Sequence, residues 1–154
     1  MTTVGPKTKP VVAGLQGLLG DAESRVRLCA AISLCRLEDR SPELVGVLTA
    51  GVPKTSGTPL ELRQLVCEAL GLLGPDAVSA VPALIGALGE RPDNNPAMPY
   101  AAARQAAHDA MRCAAATALG RIGEASATES LERAADVPAL EAAAREALAR
   151  ISPQ

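Results

Sequence analysis

Leu62-Arg63-Gln64-Leu65-Val66-Cys67-Glu68-Ala69-Leu70-Gly71-Leu72-Leu73 is a block that this chain repeats. It stands earlier as Val26-Arg27-Leu28-Cys29-Ala30-Ala31-Ile32-Ser33-Leu34-Cys35-Arg36-Leu37 and later as Met111-Arg112-Cys113-Ala114-Ala115-Ala116-Thr117-Ala118-Leu119-Gly120-Arg121-Ile122. A weaker fourth copy runs from Leu140 to Ile151. The apolar residues return at the three-and-four spacing of a helix face. Copies of one short unit imply stacking of each on the next, an extended array with a recognition surface and no single closed core.

Outside these blocks the composition sets bounds. Among 154 residues, 48% are hydrophobic and 21% charged, which excludes a disordered chain. With no Trp, no Phe and one Tyr, the core has to be aliphatic. Alanines crowd the chain after Ala97, where they favour helix and let helices approach closely. Glycines and prolines fall mostly between the periodic segments and mark their ends.

These marks predict a polar leader over 1–9 and a helix from Pro10 with the stripe Val11, Val12, Leu15, Leu18 and Leu19. Further helices are expected over 23–37 and 42–52, then from Pro59, capped by Thr58, to Leu73. Next come 77–88, an irregular insertion over 89–98, and a long helix over 99–122 whose residues 100–107 form an extra, kinking segment. The last two are 126–135 and 138–151. Leu34, Leu70, Leu119 and Leu148 hold corresponding positions, with steps of 36, 49 and 29 residues, and the insertion accounts for the longest step.

A net charge of -2 and a pI near 5.4 offer no attraction for phosphate backbones or anionic lipid, so neither nucleic acid nor membrane is expected as a partner. No run of 18 apolar residues and no apolar leader segment is present, which predicts a cytoplasmic protein. Cys29, Cys35, Cys67 and Cys113 show no C-x-x-C spacing. They read as buried thiols of a reducing compartment rather than as a zinc site or a disulfide framework.

Arg63 with Ala69-Leu70-Gly71-Leu72-Leu73-Gly74, Arg112 with Ala118-Leu119-Gly120-Arg121-Ile122-Gly123, and the phrase Ala80-Val81-Pro82-Ala83-Leu84-Ile85-Gly86-Ala87-Leu88 resemble HEAT repeats, closest to the short bacterial form named after phycobilisome lyases. The resemblance covers residues 11 to 151. It implies an all-α, right-handed α-solenoid of about four helix pairs, about eight helices, forming an array over 10–152. It also implies that 42–52, 77–88 and 125–135 line the concave wall. Cys35 and Glu38 depart from the pattern, which has glycine there, and Glu141 departs from the Arg of the other copies. In this phase both ends are half-repeats. The first helix then exposes its apolar stripe, which suits end-to-end self-association, coverage by preceding sequence, or a folded-back leader.

The chemistry of sites adds little. His108 is the sole histidine and cannot supply the several His–Glu pairs of HEAT-type di-iron hydroxylases, so we read it as a solvated or packing residue. Aromatic stacking of bases is unavailable, and no G-x-S-x-G elbow or phosphate loop appears. Arg27, Arg63 and Arg112 form a ladder expected to pair with acids of neighbouring repeats. No metal, cofactor or catalytic residue is expected. The expected function is a non-enzymatic scaffold or adaptor that binds another protein or peptide on its concave face. Glu43, Glu129, Glu132 and Arg133 of that wall, with Met98 and Tyr100 of the insertion, are the candidate contacts. The alternative is an accessory subunit similar to phycobilin lyase subunits; nucleic-acid binding ranks below both.

Overall fold

The computed structural model describes residues 9–92 and 97–152. The leader expected over 1–9 lies outside them except for Lys9, as do residues 93–96 of the insertion. Every regular element among the described residues is helical. The helices are α1 (Lys9–Gly17), α2 (Ser24–Arg36), α3 (Pro42–Gly51), α4 (Leu60–Leu73), α5 (Val81–Gly89), α6 (Ala101–Ile122), α7 (Thr128–Ala135) and α8 (Glu141–Ile151). A 3-10 segment over Gly74–Ala80 joins α4 to α5, so Leu60–Gly89 is one helical run. This gives seven packed helical stretches rather than the eight expected.

Several expected boundaries move for identifiable reasons. The Pro59 carbonyl accepts the Arg63 N–H at 2.9 Å and Pro59 is extended, so Pro59, not Thr58, is the N-cap of α4. The Thr58 hydroxyl is engaged instead by Ser56 Oγ at 2.9 Å. α5 starts at Val81, which puts Pro82 in the first turn, where a missing N–H costs nothing. Tyr100 adopts a left-handed φ of 65°, which delays α6 from the expected Pro99 to Ala101. Beyond it α6 runs unbroken to Ile122. Val137–Leu140 forms a turn, so α8 begins at Glu141 rather than at 138.

The block helices pack in chain order, α2 on α4, α4 on α6 and α6 on α8. Their partners pack against them: α3 against α2, α4 and the 74–80 segment, α5 against α6 and α7, and α7 against α8. Between the two sets sits an aliphatic core in which Leu34, Leu44, Leu48, Leu70, Leu84, Leu88, Leu119 and Leu131 are fully buried or nearly so. Each such leucine is worth about 1.5–3 kcal/mol. Leu148, in the same register, is half-buried. Leu60–Gly89 is long and apolar enough to cross a bilayer, but it turns at Gly74–Ala80, and half of its most apolar window is buried within the fold.

The end of α2 shows how register overrides propensity. Asp39 N–H bonds the Leu34 carbonyl at 3.0 Å and Glu38 N–H bonds that of Cys35 at 3.1 Å, a Schellman closure. This forces Glu38 to φ 63°, while Gly74 and Gly123 at the same register adopt 59° and 77°. Two cysteines are buried as expected, and burial pushes the Cys35 and Cys67 thiols up to about 11 and about 12. Cys29 is exposed and Cys113 half-buried, against expectation.

A Cβ on Gly120 would lie 2.5 Å from Ala147 Cα, a distance real contacts do not reach. Gly120→Ala is therefore expected to cost about 1–3 kcal/mol in urea denaturation. Glu38→Gly, which relieves the left-handed strain, is expected to gain about 1 kcal/mol. Equal effects of the two would contradict this packing.

Candidate functional site

The arginine ladder forms, but its partners are chiefly backbone carbonyls. Arg27 Nη1 donates to the carbonyls of Asp21 at 2.7 Å and Ala22 at 3.0 Å, just past the first helical stretch. Arg63 Nε donates to Val52 O at 2.6 Å, just past α3, and Arg112 Nε to Leu88 O at 2.8 Å, at the end of α5. Each guanidinium thus satisfies the orphan carbonyls of the preceding partner helix. Among the described residues, the one acidic partner from another repeat is Glu90, on Arg63; Arg112 meets Asp109 of its own helix at 3.6 Å.

Around Arg63 this becomes a buried ion cluster. Its Nη1 donates to Glu90 Oε2 at 3.0 Å and its Nη2 to Glu90 Oε1, a bidentate fork made with the first residue after α5. His108 Nε2 lies 3.8 Å from Glu90 Oε2, and Nδ1 has no hydrogen-bond partner. His108 is therefore buried, not solvated. Burial lowers its pKa below 6.5; Glu90 pulls upward, while Arg112 and Arg63 push down. A cavity of about 210 Å³ adjoins the cluster, lined also by Arg104, Gln105, Leu60 and Met98. The cluster ties the start of the insertion to α4 and α6.

A cavity of about 540 Å³ opens on the α2, α4 and α6 row. Leu65, Ala69 and Leu72 of α4 and Ala114 and Ala118 of α6 give it an apolar floor, with Ile32 from α2. Leu72 is 44% exposed at this cavity. The polar members are Arg36, Gln64, Glu68, Thr117 and Arg121. Gln64 Nε2 donates to Glu68 Oε1 at 3.0 Å. Along α6 the lining runs from Ala110 to Arg121, three helical turns or about 16 Å.

The expected contact residues do not gather there. Glu43 is exposed on α3. Glu129 and Arg133 form an exposed i,i+4 pair on α7 at 2.8 Å, of the kind that contributes little, and Glu132 is exposed beside them. Tyr100 is 82% exposed and Met98 is 49% exposed at the other end of the insertion. A cavity of about 300 Å³ lined by Ile85, Ser130, Arg133 and Val137 does touch the expected wall. Among the described residues, no three or more His, Cys, Asp or Glu side chains gather where they could hold a metal ion. Sequence reading missed Arg36, Leu72 and Arg121, although each lies two residues after Leu34, Leu70 or Leu119. The repeated blocks already align them, but alignment alone does not show that the three side chains line one cavity.

Comparison with known proteins gives no family-model match and no significant match to any curated protein.

Two outcomes follow for the cluster. Arg63→Met strands the Glu90 carboxylate and the Val52 carbonyl and is expected to cost about 3 kcal/mol in chemical denaturation, part of it recovered by adding Glu90→Gln. No recovery would mean that the pair is not coupled. The unfolded chain takes up the His108 proton near pH 6.5, while the fold resists it. The His108 contribution to stability is thus present above 6.5 and is lost as pH falls through that value toward the lower folded one. His108→Gln should flatten urea midpoints measured just above and below 6.5, and an unchanged slope would contradict this.

Proposed function

We propose that this chain is a right-handed α-solenoid of HEAT-like helix pairs serving as a non-enzymatic, cytoplasmic protein-interaction module. The observation that carries the reading is the three-turn apolar groove over α2, α4 and α6, with Leu72 exposed in its floor. The ordered packing α2–α4–α6–α8 supports the solenoid. Cavity size favours the block-helix row over the partner-helix wall as the place where a segment docks, since about 540 Å³ stands against about 300 Å³. A helix laid in such a groove would be held by apolar anchors with rim charges setting its register.

Selection of displayed peptides on the purified protein tests this. Enriched peptides are expected to bind Leu72→Lys at least about tenfold more weakly, because a charge then replaces an apolar lining side chain. Absence of any enrichment, or binding indifferent to Leu72→Lys, would contradict the proposal.

A further inference from the structure

Arg36, Leu72 and Arg121 occupy one register position on three successive block helices, each two residues beyond the marker leucine. All three line the large groove and all three are exposed. Arg36 lies in the last turn of α2 and Arg121 in the last turn of α6, so the two guanidiniums flank Leu72 at one end of the groove. Neither makes an ion pair or a side-chain hydrogen bond among the described residues. The one carboxylate in the lining, Glu68, accepts from Gln64 a turn further back. The lining therefore holds an apolar trough closed at one end by two unneutralised cations.

We infer that the groove takes an acidic amphipathic helix of about three turns, antiparallel to α4 and α6, with carboxylates in its first turn over Arg36 and Arg121. The apolar floor of Leu65, Ala69, Leu72, Ala114 and Ala118 meets its stripe. The orientation follows from two effects that agree. Carboxylates at the start of a helix are favoured by its own dipole, and antiparallel dipoles attract across the contact. A basic helix would place like charge on Arg36 and Arg121, and a parallel one would have to carry its carboxylates in its last turn, against its own dipole. The inference rests on the interaction-module reading and adds the partner's charge and direction.

A displayed library of amphipathic helices of about 14 residues, randomised in the first turn, the last turn and the solvent face, separates the two claims. The expected winners carry Asp or Glu in the first turn. They should bind Arg36→Glu/Arg121→Glu about tenfold or more weakly and lose affinity as salt rises. The doubly reversed variant, with both substitutions on exposed residues, should keep the parent's circular dichroism and instead enrich first-turn Lys or Arg. Winners without first-turn acid that bind both proteins equally would overturn this inference while leaving the groove as a docking site. If nothing is enriched on either protein, the module reading fails and this inference fails with it.

Discussion

Two contacts between small residues set the spacing of the array. Gly71 faces Ala118, with a would-be Cβ only 3.1 Å from Ala118 Cα, and Gly120 faces Ala147 at 2.5 Å. Each glycine follows a marker leucine, Leu70 or Leu119, and each alanine precedes the next one, Leu119 or Leu148. The same joint is therefore made twice, α4 to α6 and α6 to α8. Backbone meets backbone there because no side chain intervenes, and Leu70 and Leu119 beside it are sealed from water.

The first copy carries Cys35 where the second and third carry glycine. The contact of α2 with α4 is correspondingly less extensive than that of α4 with α6. The large groove lies across this row, where Ile32 and Arg36 of α2 face α4 and α6. A departure that looks like a weakened repeat thus coincides with this groove. Arg27, Arg63 and Arg112 bond carbonyls at the ends of the preceding helical stretches, so α2, α4 and α6 are each fixed both to the next block helix and to the partner before it.

The helices were legible because aliphatic periodicity and Pro or Gly punctuation are local signals. The core leucines followed directly. Boundaries were missed where a nonlocal constraint decided, as at Tyr100 in its left-handed turn and at Thr58, whose hydroxyl was already engaged. The ladder was visible as spacing, yet its acceptors are carbonyls, which no side-chain pattern announces. Burial of His108 depended on Glu90, a residue of the insertion 27 positions after Arg63. The groove was least legible, because a cavity reports how closely helices approach and a sequence shows only which side chains could stand between them.

The spacing can be tested by covalent capture. In a chain whose native cysteines are replaced, Gly71→Cys with Ala118→Cys places two thiols on carbons 3.3 Å apart before relaxation, near the separation a disulfide spans. Mild oxidation followed by mass spectrometry of the folded protein is predicted to find the pair joined within one molecule. Two free thiols after oxidation, in a protein that keeps its helical spectrum, would contradict the close joint on which the array depends.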